Sequence, residues 1–137
     1  MAGMRFEDLE IGMSYSMSKA FTSEEVEAFS KLSMDNNPLH TCDVFASKSM
    51  FGKKIVHGFL TASLFSAIIG TEFPGEGSVY LSQNMVFLHP VFHNQVVTAT
   101  VTVLELLPEK RRVLLETLCK DESGIVLISG TALVKTT

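Results

Sequence analysis

The chain has 137 residues, 46% of them hydrophobic and 19% charged, with a formal net charge of -4. That length can bury the core of one domain, 1–137, without staples, and the acidic balance removes the electrostatic case for binding nucleic acid. Cys42 and Cys119 are the only cysteines, too few for a disulfide framework and without the clustered spacing of a zinc site, so a reducing compartment is expected and both thiols are read as buried small hydrophobes.

The first twelve residues, MAGMRFEDLEIG, lack the basic-then-apolar order of a signal peptide and the Arg-rich character of a transit peptide. A cytoplasmic protein is the expectation, with the mitochondrial matrix open if a transit peptide has been removed. A first strand is expected near residues 14–21, SYSMSKAF. Thr22 to Glu25 then has the T-x-x-E form of a capping box, with Phe21 and Val26 placed to staple it. Val26, Phe29 and Leu32 recur at helical spacing to about residue 33. Pro38 cannot continue that helix, so MDNNPLH, residues 34–40, is read as a loop.

The most apolar run, IVHGFLTASLFSAIIG at 55–70, is too short for a membrane span and carries His57, Thr61, Ser63 and Ser66. Its centre, 58–69, is apolar nearly all round and predicts an enclosed helix, with Gly70 as C-cap. From residue 78 the period changes to two. Strands are predicted at 78–88, 97–103, 111–120 and 124–134, with turns at HPVFHNQ, LPEK and DESG. A long antiparallel sheet needs a cover for its apolar face, and only the helix at 58–69 is apolar enough to provide it. The fold class is therefore α+β, one sheet wrapped round one helix.

Asp35 and His40 admit two readings: an Asx-turn residue beside a satisfied loop histidine, or the two ends of a proton-transfer device. Gly58 bears on the choice, because it opens the buried helix, where free N–H groups and the positive end of the helix dipole can receive a developing oxyanion. Acid/base pair and oxyanion donor are the parts that enolate chemistry on a carbonyl compound needs together. His57 is either an orienting group or the partner of a buried carbonyl, and Ser66 either bonds an earlier helix carbonyl or enters a pocket. His89 and His93 flank Pro90 at a strand end, which disfavours paired ligation, so no metal is assigned. Phosphate loops, G-x-S-x-G and CxxC pairs are absent from the sequence.

MDNNPLHTCDVFA followed by FGKKIVHGFLTASLFSAIIG resembles the (R)-specific enoyl-CoA hydratases of the MaoC-like hydratase family, whose motif runs D-x-N-P-x-H, an aromatic-Ala pair, then F-x-x-x-I-x-H-G. The resemblance extends through PGEGSVYLSQNMVFLHPV and the final strands. It implies a hot-dog fold, a curved antiparallel sheet round a long central helix, paired as a homodimer. It further implies Asp35 and His40 as the catalytic pair and the Gly58 amide as binder of the thioester oxygen. Asn37 and Pro38 would shape the loop, Ser66 would line the site with His57 nearby, and Ile69 would limit the acyl pocket to short or medium chains. Met34 and Cys42 depart from the residues common at their positions.

The implied reaction is reversible syn hydration of a trans-2-enoyl-CoA to an (R)-3-hydroxyacyl-CoA, without cofactor, metal or membrane. An acyl-carrier-protein dehydratase with the same Asp/His pair would differ only in the carrier, so β-oxidation, polyhydroxyalkanoate supply and fatty-acid synthesis all stay open. A hot-dog thioesterase would want a carboxylate on the central helix, and 58–69 has none. A non-catalytic acyl-binding subunit would make Asp35 and His40 dispensable.

Overall fold

The computed structural model describes residues 3–137. The capping signal works as predicted: α1 spans Ser23–Ser33, Thr22 Oγ1 accepts from the Glu25 N–H at 3.2 Å, and Glu25 Oε1 accepts from the Thr22 N–H at 3.0 Å. Phe21 and Val26 are buried as the staple requires. Leu32 departs from the reading: it is exposed, and Ser30, at i+4 from Val26, takes the buried position. Upstream lies β1, Ser14–Ala20.

Beyond α1 the expected loop is partly helical, with α2 at Pro38–Thr41 and α3 at Asp43–Ser47. Pro38 starts α2, because the first position of a helix has no use for the amide hydrogen that proline lacks. Asn37 caps it, its Oδ1 accepting from the Leu39 N–H at 3.1 Å. Cys42, where α2 gives way to α3, is exposed rather than buried; Cys119 is buried as expected.

The central helix α4 spans Gly58–Ala67 and then widens into a π-turn at Ile68–Glu72, with Phe73 N–H donating to Ile68 O at 2.7 Å. Gly70 is therefore inside a turn and not a cap. The left-handed residue comes later, at Gly75 (φ 91°), whose N–H donates to Ile69 O at 2.9 Å. The widened turn keeps the adjacent Ile68 and Ile69 both buried. The helix is also less enclosed than its composition suggests: Phe59, Ser63 and Ser66 form an exposed stripe.

Four strands follow: β2 (Val79–Phe87), β3 (Val96–Leu107), β4 (Arg112–Asp121) and β5 (Val126–Lys135). They join β1 in one antiparallel sheet of order β1-β3-β4-β5-β2. Val97, Ala99, Val101 and Val103 of β3 and Val113 and Leu115 of β4 alternate inward and form one core with Leu64, Phe65 and Ile68 above them. A register shift between Cys119 and Lys120 lets neighbouring Leu127 and Ile128 both be buried, a bulge of the kind that bends a sheet round its cover. Gly130 is paired with Met85; a Cβ there would meet the Asn84 carbonyl oxygen and come within 2.8 Å of Met85 Cα. Among the described residues no helix is long and apolar enough to cross a membrane.

Candidate active site

The Asp35 turn is built by short side-chain bonds. Met34 closes α1 in the left-handed conformation (φ 67°), uncommon for a residue with a Cβ, and its side chain stands 81% exposed, so it does not alter the cavity behind it. Ser33 Oγ accepts from the Asp35 N–H at 3.1 Å, and Asp35 Oδ1 accepts from the Asn37 N–H at 3.1 Å. Asp35 is thus an Asx-turn residue as the plainer reading proposed. The bond occupies one carboxylate oxygen.

His40, on α2, is buried, and its Nδ1 lies 2.9 Å from the Ile55 carbonyl oxygen. A carbonyl only accepts, so Nδ1 carries the hydrogen and Nε2 presents a lone pair. The same segments are joined again by Ile55 N–H to Leu39 O at 3.2 Å, and Val56 N–H reaches Val91 O at 2.7 Å. Main-chain bonds thereby fix both the position and the tautomer of His40.

His57 is 2% exposed and stacks on His40, ring centroids 3.8 Å apart at 22°. Its Nε2 lies 3.1 Å from Ser30 Oγ and 3.3 Å from the Asp35 carbonyl oxygen, which makes it a donor and ties α1, the Asp35 turn and the start of α4 together. Burial, and then the nearby His40 ring, push its pKa below the usual histidine value, so it stays neutral. Ser30 is a functional candidate that the sequence reading did not single out. Its signal was a hydroxyl in the middle of a buried helical stripe, which must find a partner.

One carboxylate oxygen of Asp35 and one ring nitrogen each of His40 and His57 lie within 4.8 Å of one another. Two nearly parallel rings direct their in-plane lone pairs alongside each other rather than at a common point, and His57 Nε2 is already engaged. The group is a poor cage for an ion. It suits a water molecule held between carboxylate and imidazole, since two hydrogen bonds from one water span roughly this distance.

Asp35, His57, Gly58 and Thr61 line a cavity of about 610 Å³ whose other walls are mainly apolar, including Phe29, Phe59 and Phe87. Gly58 is the first residue of α4, and the earliest intrahelical bond runs from Thr61 N–H to His57 O at 3.1 Å, leaving the N–H groups of Gly58, Phe59 and Leu60 without a helical acceptor. A Cβ there would lie 2.6 Å from the Phe87 ring, so a side chain at this position would require that half-exposed ring to turn aside.

The remaining candidates are placed apart. Asn37 and Pro38 are exposed and act on the backbone turn. Ser66 is exposed and lines a second hollow, while Ile69 is buried in the core and lines neither. His89 bonds the Val126 carbonyl and His93 bonds Ser23 Oγ, so the two histidines face separate partners.

Comparison with known proteins identifies the family. Residues 8–120 match the model of the MaoC like domain. The chain is 43% identical to a 3-hydroxybutyryl-CoA dehydratase of Methylorubrum extorquens over 95% of its own length and 82% of that protein's. It is also 43% identical to an (R)-specific enoyl-CoA hydratase of Aeromonas caviae, over 96% of this chain and 98% of that one. The solved structure of an A. caviae (R)-hydratase involved in PHA biosynthesis superposes with a TM-score of 0.93, covering 96% of this chain and 99% of that chain, which makes the fold a hot-dog fold. With a family match over residues 8–120 and relatives 43% identical across nearly its whole length, the chain belongs to the MaoC-like domain family.

Proposed function

We propose that the protein is an (R)-specific enoyl-CoA hydratase, a hydro-lyase that adds water reversibly and syn across a trans-2-enoyl-CoA to give the (R)-3-hydroxyacyl-CoA. The observation that carries this is the Asp35 carboxylate held within 4.8 Å of a histidine nitrogen at an apolar cavity that ends on the start of α4. The similar proteins named above support the same chemistry read in either direction.

Water sits between Asp35 and His40 Nε2. Its oxygen bonds to C3 as the pair takes its proton; the C2–C3 π electrons move toward C1, and the thioester oxygen gains negative charge. The free Gly58 N–H, at the positive end of α4, stabilises that charge. A proton from the pair then reaches C2, so one water has been added across the double bond. Both nucleophile and proton come from that water, and no cofactor is needed. Ser30 and His57 hold the pair without exchanging protons with substrate.

The active form is a homodimer, and its location cytoplasmic, in keeping with two unpaired thiols. β2 is a sheet edge, and Tyr80, Leu81, Val86 and Phe87 on it are exposed together with Phe59. A second copy would satisfy the edge and cover these side chains. Light scattering should give twice the chain mass of 15.0 kDa; a monomer at micromolar concentration would contradict the pairing.

The reaction is tested by product chirality. Incubation with crotonyl-CoA should yield a 3-hydroxy product consumed by an (R)-specific dehydrogenase and not by an (S)-specific one. An (S) product, or thioester hydrolysis without hydration, would overturn the assignment.

A further inference from the structure

One titratable side chain beside the catalytic pair has no part in the reaction as described. His93 lies in the turn between β2 and β3, and that turn is docked on two segments at once. Asn94 N–H donates to Phe21 O at 2.7 Å, just before α1, while Phe92 pairs with Ile55 and Val91 O accepts from Val56 N–H at 2.7 Å. His93 thus stands between the start of α1 and the segment that carries Ile55, the hydrogen-bond acceptor of His40.

Its Nδ1 lies 2.9 Å from Ser23 Oγ. Its Nε2 is shielded from solvent and faces the main-chain carbonyls of His40 and Ile55, without reaching full hydrogen-bond geometry to either. Burial, and then the Lys54 ammonium, lower the pKa of the ring, so it is neutral and carries a single hydrogen. Carbonyl oxygens only accept, which puts that hydrogen on Nε2, and the Ser23 hydroxyl then donates to Nδ1.

The Ile55 carbonyl is the group that sets the His40 tautomer, accepting from Nδ1 at 2.9 Å. The peptide unit that bears it is held at its other end, where Val56 N–H meets Val91 O. A carbonyl oxygen has two lone pairs, so His40 and His93 can both donate to this one. We propose that His93 is a positioning residue for His40: with substrate bound, its Nε2–H donates to the Ile55 carbonyl and keeps that oxygen on His40 Nδ1. The proposal deepens the hydratase reading given above and rests on it. Hydrogen bonds that serve catalysis are often long or bent in the free protein and tighten in the substrate complex, in keeping with the open geometry at His93 Nε2. Ser23 sets the tautomer of His93 as Ile55 sets that of His40, so the chain of bonds runs from α1 to the reacting imidazole.

The experiment follows crotonyl-CoA hydration and the ring-nitrogen NMR signals of His40, free and saturated with substrate and product, in wild type, His93→Leu, His93→Gln and Ser23→Ala, each folded by circular dichroism. His93→Leu keeps the bulk and removes the donor. It should lower kcat about ten- to a hundredfold, leave KM within about twofold, and move the His40 nitrogen signals from a single Nδ1–H tautomer toward an average of the two. His93→Gln, whose side-chain amide offers a donor of similar reach, should restore most of the rate and the single tautomer. Ser23→Ala leaves the ring in place and should give a smaller loss in the same direction, which carries the test if His93→Leu does not fold. A folded His93→Leu protein with wild-type kcat overturns the proposal, and so does a loss of rate that leaves the His40 signals unmoved. A folded wild type that does not hydrate crotonyl-CoA overturns the hydratase reading instead, and the His40 signals of the free proteins then show separately whether His93 holds the tautomer.

Discussion

His40 owes its chemical state to a residue fifteen positions away. Because the Ile55 carbonyl accepts a hydrogen bond from Nδ1, the neutral tautomer of the ring presents its lone pair at Nε2. The same economy appears at Asp35, where one carboxylate oxygen holds the turn and the other remains free for water. Ser30 completes this arrangement by accepting from His57. Ser30→Ala should lower stability by about 1 kcal/mol in chemical denaturation and reduce kcat more than it raises KM, since it loosens the support of the pair without touching substrate. The two thiols make a second residue-scale test. Cys42 is exposed, whereas burial pushes the Cys119 thiol up to about 12. A thiol reagent should label one cysteine in the native protein and two after denaturation. Motif spacing singled out Asp35, His40 and Gly58 as candidates, but not the bonds to Ile55 and Ser30, which join residues that only the fold brings near.

Among the elements, those specified by local chemistry were the most legible. The capping box at Thr22 and Glu25 and the alternation in β3 and β4 depend on residues a few positions apart, and the structure reproduces them. What was not legible needed distant partners. α2 and α3 are too short to declare a period, and the widening of α4 at Ile68–Glu72 answers to the core rather than to Gly70. Gly130 belongs to the same class: nothing near it in sequence demands a glycine, but the β2 backbone lies where a side chain would begin. Gly130→Ala should therefore separate β2 from β5 and cost about 2 kcal/mol or more, read as a lowered midpoint in urea. An unchanged midpoint would show that the strands can part without penalty.

For the molecule as a whole, the histidines tie stability to pH. Burial depresses His57, and burial followed by the neighbouring Lys54 depresses His93, both from a usual value of 6.5. A histidine that titrates lower when folded is protonated first in the unfolded chain. Its neutral form therefore contributes stability above the unfolded value, and that contribution is lost as pH falls below about 6.5. The melting temperature should drop from pH 7.5 to pH 5.5, and His93→Gln should flatten that drop; a flat wild-type profile would contradict the burial described. His57 also lines the cavity, so one buried imidazole serves both the packing and the candidate site.

The account depends most on Asp35 and His40 acting as one device on water. The direct measurement is loss of the conjugated enoyl absorbance of crotonyl-CoA with wild type, Asp35→Asn and His40→Ala, each checked for native circular dichroism. Hydration by the wild type that falls by about 10² to 10⁴-fold in each single variant, with the double variant little worse than either, is the predicted result. A folded Asp35→Asn or His40→Ala protein that hydrates at the wild-type rate would contradict it.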